Sequence, residues 1–86
     1  MSLRYFDDGS QDPPRVAYAV GRGFGTAVER NRARRRLRAT IALDEALLLP
    51  GGAYLLGAER AVMTIPFPTL RDHVTTLLRG VGEEER

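Results

Sequence analysis

The chain has 86 residues, 43% of them hydrophobic, and no cysteine, which suffices for one small domain and excludes both a disulfide framework and a thiolate metal site. All 13 of its basic side chains are arginine, and seven of them fall in residues 22–38 beside a single acid, Glu29, a formal +6 against −4 for the rest of the chain. A net charge of +2 thus hides a polarised molecule whose guanidinium groups suit phosphate oxygens and base faces, so the expected partner is a polyanion, nucleic acid above all.

Leu3 to Phe6 has the length of a short strand, and Asp7-Asp8-Gly9-Ser10-Gln11-Asp12-Pro13-Pro14 has the composition of a loop. In Arg15 to Val20 the larger Val16, Tyr18 and Val20 alternate with Ala17 and Ala19, the period of a strand. Its alanine side leaves room for a packed helix or a bound ligand. Three glycines in Gly21 to Gly25 end that strand in a turn, with a spacing that does not match a P-loop. Thr26 and Glu29 have the spacing of a capping box, which predicts a helix start. At about 100° per residue, Ala33, Leu37, Thr40 and Ile41 form one stripe, with Asn31, Arg32, Arg34, Arg35, Arg36 and Arg38 spread over the remaining surface. Arg30 falls on the stripe side, so it must snorkel or be held by a specific partner.

The helix is predicted to fade before Leu49-Pro50-Gly51-Gly52, and the apolar run from Ala53 to Ala58 fits a buried strand. Phe67, Leu70, Val74, Leu77, Leu78 and Val81 follow amphipathic helical spacing, predicted to end near Gly80 and Gly82 before an acidic tail at 83–86. The order is strand, helix, strand, helix in a single domain spanning 1–86, with its core in 15–81. No apolar run approaches the roughly 18 residues of a membrane span, and the N-terminus lacks the plan of a secretory signal, so a cytoplasmic protein without a membrane partner is expected.

Protein-based nuclease chemistry needs a carboxylate cluster for metal or paired acid and base groups. Neighbouring acids occur in Asp7-Asp8, Asp44-Glu45 and the tail, with no evident reason to converge, and the single histidine, His73, lies beside an apolar stripe with no nucleophile nearby. No catalytic residue, metal ligand or protein-bound cofactor is expected, and no obligate protein partner is evident.

The stretch Arg15-Val16-Ala17-Tyr18-Ala19-Val20-Gly21-Arg22, followed by Gly25-Thr26-Ala27-Val28-Glu29-Arg30-Asn31-Arg32-Ala33-Arg34-Arg35-Arg36-Leu37-Arg38, closely resembles the protein subunit of bacterial ribonuclease P. Leu49-Pro50-Gly51, the apolar strand to Ala58 and the Ile65-Pro66-Phe67 entry to the last helix match that family's order and spacing, so the resemblance covers about residues 15–81. It implies an α/β (α+β) sandwich, a small sheet packed by helices, with a left-handed β-α-β crossover against the usual rule. It also implies an accessory role: the family's RNA partner cleaves precursor tRNA with magnesium bound to the RNA, and the protein binds that RNA and the substrate's 5′ leader. By position, Arg30, Asn31, Arg32, Arg34 and Arg35 match the motif that contacts the catalytic RNA. Arg22, Arg36 and Arg38 extend the predicted RNA-binding set, and Tyr5 and Tyr18 with the alanine-lined strand are the leader-groove candidates.

Several positions depart from the family pattern. The family has a basic helix ahead of the first strand, forming one wall of the leader groove, whereas this chain opens within that strand. A second basic residue after Arg22 is replaced by Gly23, and an Asp before the third strand by Ala53. The Arg that usually ends that strand aligns with Glu59, and the adjacent Arg60 cannot simply replace it, because strand neighbours point to opposite faces. The arginine run alone also fits a general RNA-binding or ribosome-associated module without a role in cleavage. A DNA recognition helix would need a compact helix-turn-helix, which the sequence lacks.

Overall fold

The alternation of large and small residues does make strands. In the computed structural model, which describes residues 1–84 except for the Arg22 side chain, β1 runs Ser2–Asp7, β2 Arg15–Ala19 and β3 Gly52–Gly57. The sheet order is β1-β3-β2, with β3 antiparallel to β1 and parallel to β2. Parallel pairing demands a long crossover, and helix α1, Ala27–Leu43, supplies it. Helix α2, Phe67–Glu84, closes the fold.

Register sorts the strand residues onto two faces. Leu3 pairs with Leu56 and Leu56 with Tyr18, while Tyr5 pairs with Tyr54 and Tyr54 with Val16. These rows face the helices: Tyr54 and Leu56 are buried in one cluster with Ala33, Leu37 and Ile41 of α1 and Leu70, Val74, Leu78 and Val81 of α2. The predicted α1 stripe is therefore the docked face, including Thr40, which is fully buried and donates its hydroxyl to the Leu37 carbonyl at 2.6 Å. That bond removes the cost of a bare hydroxyl in an apolar core.

The other sheet face carries Phe6, Ala53 and Arg15 in one row and Arg4, Leu55 and Ala17 in the next. It is open: Phe6 is 67% exposed and Leu55 37%. One layer of helices on one layer of sheet leaves this second face uncovered, which antiparallel sheets tolerate and parallel ones rarely do.

Two expectations change, and one element is added. The core is not confined to 15–81, since β1 pairs with β3 along its whole length and Leu3 and Tyr5 pack against the buried cluster. A 3-10 turn at Arg60–Met63, invisible in the periodicity, inserts Val62 into that cluster. Helix α2 does not end near Gly80 and Gly82 but continues to Glu84, so Glu83 and Glu84 are helical and only 85–86 of the acidic tail lie outside the described residues. Glycine costs about 1 kcal/mol in a helix interior. Here the buried Val81 between the two glycines anchors the last turns.

Candidate RNA interface

Helix α1 starts where the capping box predicts. The Glu29 amide donates to Thr26 Oγ1 at 3.2 Å, and the Thr26 amide donates back to Glu29 Oε1 at 3.0 Å. The Thr26 amide first, and then the Thr26 hydroxyl, hold the Glu29 carboxyl below its ordinary pKa. The helix therefore fills its own positive end with a side-chain carboxylate, where a bound phosphate would otherwise be favoured.

From that fixed start, the arginine run divides into inward and outward groups. Arg30, on the stripe side, is half-buried and donates Nη1 to the Gly25 carbonyl at 3.0 Å, so the specific partner it required lies within the chain. Arg36 is the clearest departure from the expected RNA-binding set. Its Nη1 reaches the Met63 carbonyl at 3.5 Å, its Nη2 donates to the Ile65 carbonyl, and its Nε is buried without a partner. Arg36 thus ties α1 to the segment leading into α2. At 300° around the helix from Ala33 it sits on the flank of the docked stripe, where its long stem lies along protein and its head finds carbonyls instead of water.

Asn31, Arg32, Arg35 and Arg38 are exposed, and Arg34 is half-exposed. Asn31 Oδ1 accepts a hydrogen bond from Arg34 Nη1 at 3.0 Å, which fixes Arg34 without any change in charge. Arg38 lies over the Tyr18 ring, 5.8 Å from its centroid. Burial raises the Tyr18 hydroxyl above its ordinary pKa, and the Arg38 charge opposes that shift. Among the described residues, Arg32 and Arg35 have no hydrogen-bond or ion-pair partner, and at i and i+3 they are neighbours able to clamp adjacent phosphates. Val28, 69% exposed, stands on the same outer face one turn before Arg32. Arg22 belongs to the 3-10 turn Arg22–Phe24, and its side chain lies outside the described residues.

The tyrosines do not share a face with the alanines. Tyr5 packs on Tyr54 with ring centroids 5.0 Å apart, and Tyr18 is half-buried beneath Arg38, both on the helix side of the sheet. The alanine-lined face instead presents Phe6, Leu55, Arg4 and Arg15. Sequence reasoning missed these four. The signal was present, because Phe6 and Leu55 stand one residue out of phase with Leu3, Tyr5, Tyr54 and Leu56. His73 and Asp72 are exposed on α2. Among the described residues no group of three or more histidine, cysteine or acidic side chains could hold a metal ion, and no helix is long and apolar enough to cross a membrane.

A family model described as Ribonuclease P matches residues 1–82. The chain belongs to the ribonuclease P protein family. It is 40% identical over 74 residues to a ribonuclease P protein component from Symbiobacterium thermophilum, a match covering 86% of this chain and 64% of that protein. A second ribonuclease P protein component, from Chloroflexus aggregans, is 42% identical over 76 residues, covering 83% of this chain and 53% of its own length. The chain thus spans between half and two thirds of these family members. In fold it is similar to the ribonuclease P protein of Thermotoga maritima, with a TM-score of 0.77 at 22% identity, covering 88% of this chain and 72% of that one. The Staphylococcus aureus protein gives 0.75 at 16% identity, covering 92% and 72%. These likenesses carry the small α+β fold and its three-stranded sheet with two helices.

Proposed function

We propose that this chain acts as the RNA-binding protein subunit of ribonuclease P in the cytoplasm, assisting a catalytic RNA in removing the 5′ leader from precursor tRNA. The observation that carries this reading is the outer face of α1, where Asn31, Arg32, Arg35 and Arg38 stand exposed on a capped helix inside the segment that matches the family. A cation face on a docked helix holds several phosphates in fixed relative positions, which screens their repulsion as RNA segments approach. In this reading magnesium belongs to the RNA, and the protein holds no cofactor and no catalytic group. The open sheet face is the surface for the leader: Phe6 and Leu55 offer apolar area to unstacked bases, and Arg4 and Arg15 offer charge to the backbone.

Reconstitution with the cognate catalytic RNA tests this directly. The chain should lower the magnesium concentration needed for cleavage of precursor tRNA, and combining Arg32→Ala with Arg35→Ala should raise it again. His73→Ala should leave reconstituted cleavage unchanged. Turnover by the protein free of RNA, abolished by His73→Ala, would falsify the accessory role.

A further inference from the structure

Strand β3 ends at Gly57, and Arg60 opens the 3-10 turn beyond it. Its guanidinium reaches across to the start of α1, where Nη1 donates to the Phe24 carbonyl and Nη2 lies 3.4 Å from Glu29 Oε2. Glu29 already gives its other oxygen, Oε1, to the Thr26 amide. One carboxylate thus joins the helix cap to a turn 31 residues away. Beside it, Arg30 holds the next carbonyl, that of Gly25. The two carbonyls just before the cap are therefore each held by a guanidinium, one from within α1 and one from outside it. Gly25 admits this arrangement, because a Cβ there would lie 2.7 Å from Glu29 Oε1 and 3.3 Å from Arg60 Nη1.

We propose that Arg60 is a positioning residue for RNA binding: by holding the Phe24 carbonyl and Glu29, it fixes where α1 begins and how its first turns are aimed. Arg32 and Arg35 leave the helix only about 4.5 and 9 Å beyond Glu29 along its axis, so a rotation at the cap changes their direction. Arg60 is not itself the phosphate ligand. Its charge is already opposed by Glu29, whose carboxylate would repel an approaching phosphate at that spot. The side chain is 67% exposed, and an exposed ion pair adds little to global stability. Helix ends open far more readily than whole domains, so the same small energy weighs heavily on the first turn.

This inference rests on the RNA-binding reading and is tested with the full chain and its cognate ribonuclease P RNA. Arg60→Met should weaken binding about fivefold, the equivalent of roughly 1 kcal/mol, with the slope of log affinity against log salt unchanged because no phosphate contact is lost. In a Glu29→Gln background the same substitution should cost less than half as much, since the two groups act through each other. Without RNA, Arg60→Met should speed hydrogen exchange at the Glu29 and Arg30 amides, which donate to Thr26 Oγ1 and the Thr26 carbonyl. A salt slope shallower by about one contact, with exchange unaltered, would make Arg60 an RNA ligand and overturn the proposal. So would equal losses in both backgrounds, or unchanged affinity in a variant whose parent binds. A wild-type chain that does not bind the RNA refutes the proposed function as well, and is told apart from the other outcomes by the parent's own isotherm.

Discussion

Arg35 and Arg36 are adjacent in sequence and equal in charge, but one is exposed and the other is tied within the chain, so a matched pair of substitutions separates charge from architecture. Arg36→Met keeps most of the aliphatic stem but deletes the donors to the Met63 and Ile65 carbonyls. Hydrogen bonds from a charged donor contribute about 1.5–3 kcal/mol each when well formed. The 3.5 Å bond to Met63 counts for little, and removing the buried, unpartnered Nε returns about 1 kcal/mol. The net loss should be about 1–2 kcal/mol, which for a domain of this size lowers Tm by roughly 5–15 °C. Arg35→Met touches no internal partner, so its stability should stay within about 0.5 kcal/mol of the parent. RNA binding should show the reverse. Arg35→Met should make the salt slope shallower by roughly 0.7–0.9, one phosphate contact, while Arg36→Met leaves the slope intact at temperatures where the protein is folded. Thermal unfolding followed by circular dichroism and salt-dependent binding isotherms read the two effects. Equal stability of both variants, together with an equal loss of slope, would show that Arg36 faces RNA and that its ties to the segment before α2 contribute nothing.

Asn31→Ala removes no charge but frees Arg34, and should weaken RNA binding by about 1 kcal/mol with no change in salt slope; affinity equal to the parent's would leave charge alone as the determinant. The carboxyls of Glu29 and Asp8, the latter held by the Ser10 hydroxyl and amide, both titrate below their ordinary values of 4.5 and 3.8. Groups with depressed folded pKa values stabilise above the unfolded value and lose that contribution as pH falls through the folded one. Stability to denaturant should therefore be insensitive to these groups near neutrality and decline below about pH 4.5, and Glu29→Gln should flatten part of that decline. Gly51→Ala should cost about 1–3 kcal/mol, since Gly51 has φ of 75° and an added Cβ would run into the Ser10 carbonyl; a stability within 0.5 kcal/mol of the parent would mean that this loop shifts freely.

The parts of the fold legible in the sequence are those decided locally. The Thr26-Glu29 box, the Ala33-Leu37-Thr40-Ile41 stripe and the alternation in β2 depend on neighbours within a few residues, and each appears as read. The inward turn of Arg36 is not legible, because its partners lie 27 and 29 residues away and no helical period says where carbonyls of a later turn will stand. Chemistry alone groups Tyr5 and Tyr18 with the alanine-lined strand, whereas strand geometry puts Tyr18 on the face opposite Ala17 and Ala19. The burial of Val62 is not legible, because a single 3-10 turn has too few residues to show a period.

The sheet order β1-β3-β2 sets a schedule for the newly made chain. Among the described residues, β1 and β2 each pair only with β3, so the first 51 residues contain two strands and a helix with no sheet to join. A ribosome that has just finished α1 therefore holds a basic, unsupported segment whose docking surface does not yet exist. The remaining 35 residues then supply the central strand, Val62 and the whole of α2 at once, and both β1 and β2 close onto β3 in one non-local event. A nascent chain stalled before Gly57 has emerged should be protease-sensitive throughout, and protection should arrive in a single step as α2 clears the exit tunnel.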